Sequence, residues 1–154
     1  MTLPQAALSA HARDSQSAVL PASPRPSKAA RWSGRALSGL AVLFLAVDAV
    51  GKVLAFAPYQ AGTVELGYPA SAVLPIGIVE LVCLAVYLVP RTALLGAVLW
   101  TGYLGGAIAT HVRVENPLFS HILFPVYVAA FLWLGLWLRD RRLQALLPLS
   151  APKS

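Results

Sequence analysis

Residues 36–56 read ALSGLAVLFLAVDAVGKVLAF, with Asp48 and Lys52 the only charges. At 1.5 Å per residue, about 20 residues cross the roughly 30 Å hydrocarbon core of a bilayer. The stretch has that length, so it reads as one membrane crossing. Three further runs follow, over about 72–89, 93–110 and 121–138. Glu80 is the one charge in the second. Pro90 and Arg91 end that run, and a polar turn from His111 to Ser120 separates the third from the fourth. The predicted fold is all-α: a transmembrane four-helix bundle with short interfacial helices.

Composition agrees. Hydrophobic residues make up 58% of the 154 and charged residues 12%, against roughly 25% charged in an ordinary soluble domain. So few charges cannot cover a soluble surface of this size. The net charge of +6 raises nucleic-acid binding, but no basic groove with interleaved stacking aromatics is present, and the cations flank apolar runs instead. The partner is therefore the lipid bilayer and not nucleic acid. The single cysteine, Cys83, allows no internal disulfide and no Cys-x-x-Cys pair and reads as a small buried hydrophobe.

Between the runs, local signals mark turns. Residues 1–30 carry Pro4, Pro21, Pro24 and Pro26 among Ala, Ser and Gln, the composition of a disordered tail, and no signal-peptide pattern is present. After the first run, Pro58 suits a first helical turn, Gly67 a C-terminal cap and Pro69 a stop, so a short interfacial helix is expected there. Gly102 and Gly106 form a G-x-x-x-G pair that permits close helix approach in lipid. Pro125 removes a hydrogen bond to the carbonyl of His121 and predicts a kink inside the fourth helix. Beyond Trp133 and Trp137, residues 139–149 predict a short surface helix with Leu143, Leu146 and Leu147 on one face. Residues 150–154 form a C-terminal tail.

Ten Lys and Arg residues fall on one side of this topology: Arg13, Arg25, Lys28, Arg31, Arg35, Arg91, Arg139, Arg141, Arg142 and Lys153. Arg113 alone falls on the other. The positive-inside rule then puts both termini on the cytoplasmic side of the cell membrane.

An intramembrane charge costs roughly 2.5–3.5 kcal/mol on insertion scales. From the helical rise, Asp48 and Glu80 each lie about 18 Å from the cytoplasmic edge, with Lys52 about one turn further out. Asp48 and Lys52 are spaced as a favourable i, i+4 pair. Glu80 shares Lys52, binds a histidine or arginine, or is carried as the neutral acid. His111, Arg113 and His121 fall near the outer edge. Two readings stand side by side. One is a polar network that holds four helices in register. The other is a ligand site formed by Asp48, Lys52, Glu80, His111, Arg113 and His121. His111 and His121 with a carboxylate would make an N/O metal set, but their spacing is not diagnostic and hydrogen-bonding loop histidines are the simpler reading. No metal or catalytic residue is assigned. Tyr103 and Trp100 read as packing. No nucleotide-loop, nucleophile-elbow or H-E-x-x-H motif is present.

Arg31-Trp32-Ser33-Gly34-Arg35 followed by Asp48 and Lys52, then Leu66-Gly67-Tyr68-Pro69, and above all residues 101–127, TGYLGGAIATHVRVENPLFSHILFPVY, together resemble the DoxX-like membrane proteins over residues 31–149. Where that family's third loop has a glycine and an acid before its proline, this chain has Glu115 and Asn116. The resemblance implies a four-helix membrane bundle without an assigned activity, acting as an accessory subunit or binding a hydrophobic ligand. Through relatives linked to redox complexes it also implies an alternative: a membrane subunit of a quinone-linked oxidoreductase, with quinone as cofactor and a redox protein as partner. It carries no catalytic residue over to this chain.

Overall fold

A computed structural model describes residues 27–147. Helix α1 spans Lys28–Val53, α2 Ala57–Glu65, α3 Val73–Leu88, α4 Ala93–Arg113, α5 Phe124–Arg139 and α6 Arg141–Leu146. A 3₁₀ turn, Ala70–Ala72, leads into α3, and a π-helical turn, Leu118–Ile122, leads into α5. With these lead-ins, four helices over Lys28–Val53, Ala70–Leu88, Ala93–Arg113 and Leu118–Arg139 are long and apolar enough to cross a membrane. The protein is all-α and multi-pass. Leu43, Val47, Val82 and Leu95 are each more than half exposed, which in a bilayer means contact with acyl chains. The tails expected over 1–30 and 150–154 lie outside the described residues, apart from 27–30.

Helix α1 begins at Lys28, ahead of the apolar run. The Ser27 hydroxyl caps it, accepting the Ala30 N–H at 3.1 Å, and Lys-Ala-Ala-Arg that follows has high helix propensity. Three helices end in the same way. Ala55, Gly67 and Glu115 adopt positive φ of 52°, 81° and 54°. In each case that residue's N–H bonds three residues back, and the next N–H bonds five back: Phe56 to Gly51, Tyr68 to Thr63 and Asn116 to His111. This is the Schellman cap. Gly67 takes it without steric cost. Ala55 and Glu115 each bear about 1 kcal/mol for their Cβ.

The four long helices form a ring in which α1 packs on α3 and α5, and α4 packs on the same two; the diagonal pairs do not meet at the backbone. Leu45, Tyr87, Ala97, Trp100, Leu132 and Leu136 form its centre. Small residues set the close approaches. A Cβ on Gly135 would overlap the Ser38 hydroxyl and lie 2.9 Å from the Gly34 carbonyl oxygen, and one on Gly96 would overlap the backbone of Tyr87. At this end the Tyr87 hydroxyl donates to the Leu132 carbonyl at 3.0 Å and lies 3.1 Å from the Ser38 hydroxyl. The two bonds tie α1, α3 and α5 together.

Two expectations are corrected. Gly102 and Gly106 do not mediate helix contact within the bundle, since no atom of the described residues lies within 4 Å of a Cβ on either. Pro125 does not kink a helix interior but stands in the first turn of α5, where its missing N–H is harmless; the π-helical turn before it carries the change of direction. On α6, Leu143 is buried against the bundle, and Leu146 and Leu147 are exposed.

Gly96→Val is expected to lower stability in detergent by about 1–3 kcal/mol through overpacking. Gly105→Ala, which meets no atom within 4 Å, should leave it unchanged or slightly raised. Thermal unfolding of the two variants beside the parent protein checks the contrast.

Candidate functional site

The i, i+4 spacing on α1 brings Lys52 Nζ to 2.6 Å from Asp48 Oδ2. The same ammonium pairs with Glu80 Oε1 from α3. Gly77, one turn before Glu80, makes this reach short: a Cβ there would lie 2.8 Å from Lys52 Cβ and 2.9 Å from Val53 N. From α4, the Tyr103 hydroxyl donates to Glu80 Oε1 and lies 3.3 Å from Lys52 Nζ. The Tyr103 ring stands edge-on to Trp100, with centroids 5.4 Å apart. Three helices thus meet at one ammonium, and the α1–α4 diagonal that the backbones leave open is bridged by side chains. Glu80 is fully buried, and its Oε2 has no hydrogen-bond partner among the described residues.

Beyond this cluster, toward the connection between α4 and α5, lies a cavity of about 720 Å³. Asp48, Lys52 and Tyr103 form part of its wall, with Tyr59 and Glu65 from α2, Tyr68 from the loop, and His111 and Asn116 from the end of α4. Thr63, Thr110 and His121 add further polar groups, and the remainder is apolar, including Phe44, Ile76, Leu104, Phe124 and Val128. Gly102 and Gly106 line it too: the space that their missing side chains leave is part of the cavity. Phe44 and Phe124, in edge contact at 5.1 Å, line the cavity and are each about 40% exposed, so the wall they form also faces lipid.

The DoxX-like family's sequence profile matches residues 36–135, which run from α1 through most of α5. The chain belongs to the DoxX-like family. No curated protein and no solved structure matches it.

In this DoxX-like protein the six residues singled out by sequence divide three ways. Asp48, Lys52, His111 and His121 all line the cavity. Glu80 sits behind Lys52 as its buried counter-ion and is not part of the lining. Arg113 is elsewhere: it donates to the Leu66 carbonyl and lies over the Tyr68 ring at 6.0 Å, clamping the loop after α2. The histidine rings are 5.7 Å apart, with His111 Nδ1 2.9 Å from Asn116 Nδ2 and His121 Nδ1 2.8 Å from the Ser120 hydroxyl. No group of three His, Cys, Asp or Glu side chains that could hold a metal ion gathers among the described residues. Tyr103, read from sequence as packing, is instead a member of the charge cluster. Its signal was its depth: the helical rise puts it about 15 Å along α4, near the level of Glu80.

Removing the shared cation should leave two adjacent carboxylates uncompensated. Lys52→Met is expected to cost about 3–5 kcal/mol, in the range for breaking a buried pair from one side. The double variant Lys52→Met with Glu80→Gln should recover much of that loss. Unfolding midpoints of the two single variants, the double variant and the parent give the coupling directly.

Proposed function

We propose that this DoxX-like protein binds a hydrophobic molecule carrying a polar group, and that it serves as an accessory membrane subunit. One observation carries the reading: a single cavity of drug-sized volume with a charged, hydroxyl-bearing wall on one side and aromatic and aliphatic side chains on the other. Ligand sites combine a mainly apolar lining with a few placed polar groups, in about 300–1,000 Å³. Asp48, Lys52, His111 and His121 would meet the polar group, and Glu80 would hold Lys52 in place. A quinone is the second reading, favoured by the paired imidazoles at the rim, whose remaining nitrogens suit quinone carbonyl oxygens. In that case the protein would serve a quinone-linked oxidoreductase as its membrane subunit.

We also propose that both termini are cytoplasmic. Close contact of Gly34 with Gly135 and Leu138 puts the start of α1 beside the end of α5, and Arg139 lies 5.5 Å over the Tyr87 ring near the α3–α4 turn. The arginine-rich segments thus share one end of the bundle, which supports the positive-inside reading, and the cavity then belongs to the outer half.

Gly106→Leu meets no atom within 4 Å at its Cβ, so it should fold normally while filling the cavity. Mass spectrometry of lipid extracts from purified protein should find a co-purifying amphipath in the parent and lose it in Gly106→Leu; an unchanged extract would place the ligand elsewhere. For orientation, Ala61→Cys should react with a membrane-impermeant maleimide in intact cells, and Arg141→Cys only after permeabilisation. The reverse pattern would invert the topology.

A further inference from the structure

The charge balance of the cavity wall points to the class of ligand. Lys52 is the one Lys or Arg among the lining residues, and an ammonium has three protons to donate. All three directions are taken, by Asp48, Glu80 and the Tyr103 hydroxyl, so none remains for an anionic ligand. Arg113 is not among the lining residues; it donates to the Leu66 carbonyl and lies over the Tyr68 ring.

The acids are in the opposite condition. Asp48 gives only Oδ2 to Lys52, and its side chain is 26% exposed. Glu65 lines the same cavity with no ion pair among the described residues. With the histidines neutral, Asp48 and Glu65 line the cavity opposite a single lysine that Glu80 already pairs from behind, so the wall has excess negative charge. Its wall also carries the rings of Phe44, Tyr59 and Phe124, whose faces attract a desolvated cation. A low-dielectric surrounding strengthens both attractions.

We infer that the cavity takes an amphipathic organic cation, an amine or quaternary ammonium group with an apolar body, seated between Asp48 and the aromatic wall with Glu65 at the rim. This rests on the proposed ligand-binding function and names the substrate class of that same site. The polar group would dock as a donor or bare cation, and the apolar body would lie along Phe44, Phe124 and the open strip at Gly102 and Gly106.

The test uses full-length protein in nanodiscs of zwitterionic lipid, with tetraphenylphosphonium, its anionic isostere tetraphenylborate, and a neutral short-chain benzoquinone as probes. Saturable tetraphenylphosphonium binding is expected, with no saturable tetraphenylborate binding. Asp48→Asn, which keeps an acceptor for Lys52, should weaken the cation about tenfold or more, as loss of a charge-assisted contact in a desolvated site would. Glu65→Gln on the exposed rim should weaken it less, and Gly106→Leu should abolish it. Tetraphenylborate binding as strong as the cation's, or a cation affinity unchanged in both Asp48→Asn and Glu65→Gln, would overturn the inference. Benzoquinone binding that is lost in Gly106→Leu, without cation binding, would overturn it while leaving the proposed function standing. Binding of none of the three probes, with no co-purifying amphipath, would remove both.

Discussion

A lysine ammonium inside a bilayer is tolerable only if every proton it carries has an acceptor. Lys52 meets that condition by drawing in Asp48 from its own helix, Glu80 from α3 and Tyr103 from α4. The rest of this half of the bundle follows from this. The acids set the rotation of α1 and α3 about their axes, Gly77 sets how closely those helices approach, and Tyr103 links the diagonal across which α1 and α4 backbones do not pack. A mainly apolar bundle in lipid has little hydrophobic drive to select one packing over another. A buried charge cluster with few alternatives supplies that selection.

The two halves of the bundle use different means. At the end bearing Ser38, Tyr87 and Gly135, helices touch through small residues and neutral hydroxyls, and little space is left. At the other end the helices are held by long charged side chains and by loops clamped through Arg113, and a cavity remains between them. Tight small-residue contact fixes the ring at one end, and the ionic cluster lets it stay open at the other.

Much of this was legible in the sequence, because hydropathy and helical rise are one-dimensional quantities. The four spans, the common depth of Asp48 and Glu80, the Asp48–Lys52 pair and the Gly67 cap all follow from spacing along the chain. What was not legible is azimuthal. Rise gives a residue's level but not the neighbour it faces, so Gly102 and Gly106 read as a contact motif when they border empty space. Tyr103 read as filler although the rise puts it near the level of Glu80, and Arg113 was grouped with the cavity when it turns back onto the loop. Pro125 was misjudged for a different reason: the π-helical turn ahead of it, one residue wider than an α-turn, resets where α5 begins.

The placement of the charged groups on successive helices bears on how the chain enters the membrane. Synthesis delivers α1 first, and Asp48 and Lys52 four residues apart let that helix carry no net charge of its own within lipid. Glu80 arrives on α3 with Lys52 already there to receive it, and Tyr103 comes last, on α4, to close the remaining bond. Each span meets its counterpart already in place, so at no stage of biogenesis must a lone ion wait in hydrocarbon for a partner not yet made.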